Sequence, residues 1–172
     1  MAYYSSEKDF GDERKKPKVW SLNEAKLNIE RYCATQERCH QEVRYKLIEH
    51  AVYGDELEDL ISDLISNNFL DEERFARTFA RGKQRIKSWG KVKIISELKK
   101  RNVSPYSIKA AIEEIDENEY KNGLMALLKK KSRQLNKVTG FEKSKKLVTF
   151  AMTKGYQYDD IKKALDMINI ED

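Results

Sequence analysis

The fold is decided by the stretch Leu47-Ile-Glu-His-Ala-Val52-Tyr-Gly-Asp-Glu-Leu57-Glu-Asp-Leu-Ile61. Its apolar positions at 47, 52, 57 and 61 are spaced five, five and four residues apart. The same spacing returns twice, at Leu98, Val103, Ile108 and Ile112 and again at Ala151, Tyr156, Ile161 and Leu165. By subtraction of the residue numbers, the copies are offset by 51 and then 53 residues. A period in this range is typical of a repeat architecture, in which each unit buries its apolar face against its neighbours.

The composition favours helices for these repeats. The chain has 172 residues, a charged fraction of 37%, a formal net charge of +5 and only two prolines. Long stretches without proline favour helices over a turn-rich β fold. We therefore predict an all-α protein, in which three tandem three-helix repeats stack into an elongated, curved array.

Helix start signals divide the chain into four parts. Ser21 with Glu24 forms a capping-box pattern, Asp71 can cap a helix, and Ser104 precedes Pro105 at the first helical position. The polar N-terminus lacks apolar periodicity and is interpreted as a flexible arm. The predicted parts are the arm at 1–18, repeat one at 19–69, repeat two at 70–116 and repeat three at 117–172.

Positive charge gathers in two segments, residues 77–101 and 121–146, each of which contains a single acidic residue. At about 100° per residue, Phe75, Phe79 and Ile86 share one side of their helix, and three arginines lie on the opposite side. We expect the first side to pack and the second to face a polyanion or an acidic protein surface. The candidate contact residues are Arg77, Arg81, Arg85, Lys87, Lys91, Lys93, Arg101, Lys129, Lys130, Lys131 and Arg133.

Simpler interpretations of these residues stay open. A basic helix face can be merely solvated, and Phe75, Phe79 and Phe150 lie on apolar stripes where core packing is the more common role. Trp89 lies in a turn among cations, so it is either packed or an exposed contact for a partner.

Other function classes find little support in the sequence. Cys33 and Cys39 do not converge on a common helix, and a closed zinc site needs four suitably spaced ligands. Carboxylate pairs at predicted helix N-termini are explained by the helix dipole. We predict no metal, no cofactor and no enzymatic activity. Without a signal-peptide core or an apolar run of about 18 residues, we expect a cytoplasmic protein that does not enter membranes, and a monomer.

One segment resembles a known family. The run Asn68-Phe-Leu-Asp71-Glu-Glu-Arg-Phe75-Ala-Arg-Thr-Phe79-Ala-Arg81 is similar to the central signature of the RecX regulatory proteins, bacterial modulators of the RecA recombinase. Trp89-Gly90-Lys91 and the closing Lys154-Gly155-Tyr156 also resemble family features. The resemblance covers roughly residues 21–168. Asn102 departs from it, because the family usually has glycine there.

The resemblance implies a regulatory role in DNA repair, recombination and the SOS response. The chain is expected to bind the RecA–DNA filament and to inhibit its recombinase, ATPase and coprotease activities without performing chemistry. Single- or double-stranded DNA is a further possible partner, and the alternative function is direct, non-specific DNA binding that competes for DNA. On the first hypothesis, charge reversal at Arg81 and Arg85 should abolish inhibition and leave the helix content intact.

Overall fold

The computed structural model describes residues 18–138 and 140–168, and within these ranges the chain forms helices and no strands. The helices follow one another in three groups of three, so the all-α repeat array is confirmed. They are α1 (Leu22–Thr35), α2 (His40–Glu49), α3 (Gly54–Ser66), α4 (Glu72–Lys87), α5 (Lys91–Lys99), α6 (Pro105–Glu113), α7 (Glu117–Gln134), α8 (Gly140–Thr153) and α9 (Tyr158–Ile168). The predicted arm lies outside the described residues except for Lys18. We call α1–α3 unit one, α4–α6 unit two and α7–α9 unit three.

Side-chain caps begin α1, α4 and α6 where the sequence predicts them. Ser21 accepts a hydrogen bond from the Glu24 N–H, and the Glu24 carboxylate accepts one from the Ser21 N–H, which completes a capping box. Asp71 accepts from the backbone N–H three residues later at 2.8 Å. Ser104 accepts from the Ser107 N–H at 3.3 Å. These bonds satisfy N–H groups that have no partner inside the helix.

The first spacing of five in each copy corresponds to the ending of the second helix of the unit. In each case a buried residue follows the turn, and its N–H donates to the carbonyl of the residue five positions earlier. The residue immediately before the donor has a positive φ. The donor and acceptor pairs are Val52 to Leu47 at 3.1 Å, Val103 to Leu98 at 3.2 Å and Tyr156 to Ala151 at 3.2 Å. The positive-φ residues are Ala51 at 64°, Asn102 at 55° and Gly155 at 89°. This is the Schellman motif, which links the second and third helices of every unit.

The apolar core is divided unequally among the units. Unit one has its own cluster, which includes Ile29, Val43, Leu47 and Leu64. Units two and three share a second, continuous cluster that runs from Phe75 on α4 to α9. Within the described ranges, no helix has both the length and the apolar character needed to cross a membrane.

A polar clamp joins units one and two. The Arg74 side chain on α4 donates to Glu37 at 2.7 Å and to the side-chain and main-chain oxygens of Asn68 at 2.8 and 3.0 Å. Cys39 at the start of α2 is 1% exposed and packs into the core of units two and three. Unit one is thus attached by a clamp and one buried side chain, while units two and three form a single packed body.

Backbone packed on backbone joins units two and three. The Gly90 N–H donates to the Lys154 carbonyl at 2.8 Å, and the Val92 N–H donates to the Gly155 carbonyl at 3.1 Å. A Cβ at Gly90 would lie 2.1 Å from the Gly155 oxygen. A Cβ at Gly155 would lie 2.3 Å from the Cβ of Lys93. Both positions therefore require glycine for steric reasons, and Gly155 also for its φ of +89°.

We predict that Gly90→Ala destabilises the packed body of units two and three by about 2–3 kcal/mol, because rigid backbone leaves no room for the methyl group. The matched control is Gly82→Ala inside α4, where an added Cβ has nothing within 4 Å. In that control the free energy of unfolding should rise by about 0.5–1 kcal/mol, because alanine has a higher helix propensity than glycine. Urea unfolding followed by circular dichroism measures both changes, and equal stability of the two variants would contradict the account.

We predict that Ala51→Gly stabilises unit one by about 0.5–1 kcal/mol, since a Cβ is unfavourable in the left-handed conformation that this residue adopts. Ala34→Gly, at an exposed position in the last turn of α1, is the control and should lower stability, because glycine is a poor helix former. The urea midpoint of each variant measures the effect. A decrease for Ala51→Gly would refute the role assigned to the turn.

Candidate binding surface

The packing face of α4 differs in part from the predicted one, because Phe75 and Phe79 pack against the core and Ile86 does not. Ala76, Ala80 and Gln84 are buried at intervals of four together with Phe75, whereas Ile86 is 78% exposed. The expectation that Ile86 packs was wrong. The small side chains at 76 and 80 allow α4 to lie closely against α6, so the buried side follows these alanines and leaves Ile86 in solvent.

Hydrogen bonds from α6 fix the beginning of α4. The Glu72 carboxylate accepts from the Ser104 N–H at 3.2 Å and from the Ser107 hydroxyl at 2.8 Å. Burial alone would raise the pKa of Glu72, but the hydrogen bonds from these two serines outweigh burial and lower the pKa. The carboxylate therefore stays ionised, and it holds the N-termini of α4 and α6 together.

The three arginines of α4 that were predicted to contact a partner are engaged inside the molecule. Arg77 lies 2.7 Å from Glu73 and 2.7 Å from Glu114, and Arg81 lies 2.8 Å from Glu114. Arg85 donates two hydrogen bonds to Glu119, at 3.0 and 3.1 Å. Hydrogen bonds to Glu114 first, and then to Glu73, raise the pKa of Arg77. These arginines thus tie α4 to the acidic segment that ends α6 and begins α7.

Two further cations of unit two are also paired. Lys91 pairs with Glu117, and its ammonium lies 4.9 Å from the ring centre of Tyr120. Arg101 lies 2.9 Å from the Glu97 carboxylate. Hydrogen bonds from Lys100, and then from Arg101, lower the pKa of Glu97. Lys87 at the end of α4 is exposed and has no carboxylate partner among the described residues.

Cations and aromatic rings form a cluster beside the Gly90 turn. Lys83 lies 5.1 Å from the ring centre of Phe79 and 5.3 Å from that of Trp89. Lys93 lies 4.8 Å from Trp89, and Arg101 lies 5.0 Å from Phe79. We call these five residues the aromatic–cation cluster. Trp89 is partly buried, as the packing interpretation predicts, and Lys83 was not among the predicted contacts although it lies within the basic segment.

The predicted cations of unit three lie on the last turns of α7. Lys129, Lys130 and Arg133 are exposed, and none of them has a carboxylate partner in the described part of the chain. Lys131 lies 5.1 Å from the ring centre of Phe150 on α8. Between α7 and α8 runs a groove of about 590 Å³, to which Lys145, Lys146 and Phe150 also contribute. The prediction did not include those three residues, because the sequence alone does not indicate that α8 packs beside α7.

The two basic regions meet at the end of α8. The Lys93 ammonium donates to the Thr153 carbonyl at 3.5 Å, and Thr153 also lines the α7–α8 groove. Lys154 follows, with its ammonium 5.8 Å from the ring centre of Phe150. The aromatic–cation cluster and the α7–α8 groove therefore form one continuous surface, which we call the basic surface. The sequence does not predict this continuity, because it depends on the contact of Gly90 with Lys154.

Two segments of the chain match models of a known protein family. Residues 71–112 match the family model described as RecX, second three-helix domain, and residues 119–165 match RecX, third three-helix domain. The regulatory protein RecX of Prosthecochloris aestuarii is 30% identical over 135 residues, which cover 78% of this chain and 87% of that protein. The RecX of Clostridium botulinum strain Eklund 17B is 33% identical over 146 residues, which cover 83% of this chain and 66% of that protein.

Several relatives are longer than this chain, and a solved RecX structure is similar to it in fold. The chain spans about half to two thirds of the length of several curated relatives, for example 55% of the RecX of Herminiimonas arsenicoxydans and 52% of that of Lactobacillus johnsonii. The crystal structure of RecX from Lactobacillus salivarius is similar in fold, with a TM-score of 0.78 and 19% identity over 87% of this chain and 97% of that chain. The matches to the family models and the similarity to the Prosthecochloris protein lead to one conclusion: the chain belongs to the RecX family of regulatory proteins.

Proposed function

We propose that this RecX-family chain binds the filament that RecA forms on DNA and inhibits its recombinase, ATPase and coprotease activities. The observation that carries the proposal is the continuity of the basic surface across the junction of units two and three. A RecA filament on DNA presents phosphates together with repeated protein subunits. A continuous row of cations and aromatic rings suits contact with such a polyanionic assembly.

The proposed contacts leave out five of the residues predicted from the sequence and add Lys83. Arg77 and Arg81 tie α4 to the end of α6 through Glu114, and Arg85 joins unit two to unit three through Glu119, so we assign them a positioning role. Lys91 and Arg101 are also paired within the molecule. The cations assigned to the partner are Lys83, Lys87, Lys93, Lys129, Lys130, Lys131 and Arg133.

The mechanism requires no chemistry at the surface. A rigid body of two units that covers adjacent subunits would occlude the filament or hinder its extension, and it would slow ATP hydrolysis by reducing the number of active subunits. A protein that acts in this way is effective below one molecule per RecA. Such substoichiometric inhibition distinguishes binding to the filament from simple competition for DNA.

We predict that the triple variant Lys129→Glu/Lys130→Glu/Arg133→Glu needs an at least tenfold higher concentration for half-inhibition of RecA ATP hydrolysis on single-stranded DNA, because it reverses three exposed charges on the last turns of α7 that have no carboxylate partner among the described residues. The measurement is ATP hydrolysis while the chain is titrated below one molecule per RecA. Lys162→Glu/Lys163→Glu, at exposed positions of α9, is the control and should inhibit like the unmodified chain.

Charge reversal at Arg81 and Arg85 is the less direct test. It would place like charges beside Glu114 and Glu119, so a loss of inhibition would not separate contact from positioning. If the triple variant inhibits as strongly as the unmodified chain, the exposed cations of α7 do not contact the filament and the proposed contact at unit three fails.

A second candidate function is direct binding to DNA, with inhibition as a consequence. It is favoured by the α7–α8 groove, where lysines stand beside the Phe150 ring, because single-stranded DNA binds to such combinations of cations and stacking platforms. Titration of bare oligonucleotide at several salt concentrations separates the two functions. Tight binding with a steep salt dependence, together with inhibition only when the DNA is saturated, would favour this second function.

A further inference from the structure

A second groove lies between units one and two, away from the α7–α8 groove. Its volume is about 340 Å³, at the low end of the range for binding pockets. Gln36, Glu37 and Glu42 line it on the side of unit one, and the outer side of α4 with Arg101 lines it on the side of unit two. We call it the inter-unit groove.

The floor of the inter-unit groove is apolar. Phe75 and Phe79 lie along it, and Ile86 stands at its edge with 78% of its surface exposed. A single exposed isoleucine is ordinary on a protein surface. Here it adjoins two phenylalanines in a concave site, so an entering apolar side chain would be covered on several sides. Apolar anchors in such pockets contribute most of the binding energy at protein interfaces.

The charges around the floor carry both signs. Lys83 and Lys87 line the α4 side, and neither has a carboxylate partner in the part of the chain that the structure describes. Glu37 and Glu42 line the opposite side. The Glu37 carboxylate is held by Arg74 at 2.7 Å, and that of Glu42 accepts from the Cys39 N–H at 3.2 Å. The carboxylates are thus fixed in place, whereas the two lysines are available to a ligand.

This combination selects against a nucleic acid. A phosphate backbone in the groove would be attracted by Lys83 and Lys87 but would also pass close to the carboxylates opposite, which offset that attraction. A polypeptide segment meets no such obstacle, because an apolar side chain can fill the floor while its carboxylates point toward Lys83 and Lys87. The groove therefore differs in chemistry from the α7–α8 groove, where lysines outnumber the single glutamate.

We propose that the inter-unit groove binds a protein segment in which an apolar side chain is flanked by Asp or Glu. The inference rests on the proposed function, since the subunits of the RecA filament are the protein surface that the chain is proposed to meet. Phe79, Lys83 and Arg101 belong to both the inter-unit groove and the aromatic–cation cluster. The groove then contacts the protein component of the filament, while the rest of the basic surface, from Lys93 to the α7–α8 groove, lies against its anionic component.

The test uses the whole chain carrying Ile86→Glu, with Ile65→Glu on α3 as the matched control, because Ile65 is also exposed, at 47%, and does not line the groove. Fluorescence anisotropy measures the affinity of each labelled chain for RecA filaments on single-stranded DNA, and separately for the same oligonucleotide without RecA. We expect Ile86→Glu to weaken filament binding at least tenfold and to leave oligonucleotide binding within twofold. Ile65→Glu should change neither affinity.

Other results overturn specific parts of the account. Equal weakening of both affinities by Ile86→Glu would mean that the groove contacts nucleic acid, and unchanged filament binding would remove the groove from the interface. In both cases the proposed function would stand. If the unmodified chain fails to bind the filament, the proposed function and this inference fail together.

A crosslinking experiment tests the chemistry of the segment. A benzoylphenylalanine placed at position 86 and irradiated on the filament should link to RecA, and the linked peptide should contain an apolar residue with Asp or Glu beside it. Circular dichroism checks that the substituted chain keeps its helix content. Linkage to DNA, or to a RecA peptide without carboxylates, would overturn the proposal.

Discussion

The contact of the Gly90 backbone with Lys154 and Gly155 is the constraint on which the rest of the structure depends. Two glycines without Cβ atoms let α5 and the end of α8 approach to hydrogen-bonding distance. Because they do, Lys93 reaches the Thr153 carbonyl, and the cations of unit two continue into those of unit three. A methyl group at either glycine would separate the units and divide the basic surface.

Within that body, the strongly basic sequence serves two purposes. Arg77 and Arg81 are neutralised by Glu114 and tie α4 to the end of α6, and Arg85 is neutralised by Glu119 and joins units two and three. Exposed ion pairs of this kind are worth little individually, but here several of them connect three helices. The unpaired lysines remain for a partner. Unit one is different, because its own core and the Arg74 clamp make it a separate module beside the packed body.

Local signals explain what could be predicted from the sequence. Helix caps such as Ser21 and Ser104 act within three residues, and the recurring spacing of five reflects a helix ending that repeats in every unit. Partners distant in the chain could not be predicted. No residue close to Arg85 in the sequence indicates that Glu119 neutralises it. Apolar periodicity assigned Ile86 to the core, because a count of large apolar residues leaves out the small alanines that determine the packing face.

The measurement that tests the account most directly is amide hydrogen exchange of the chain, free and bound to RecA filaments on single-stranded DNA. The account predicts slower exchange on binding in residues 83–93, in the last turns of α7 and in α8, with α4 protected where it lines the inter-unit groove. Protection confined to α3, or equal protection by DNA alone at every one of these segments, would contradict the claim that this surface recognises the filament.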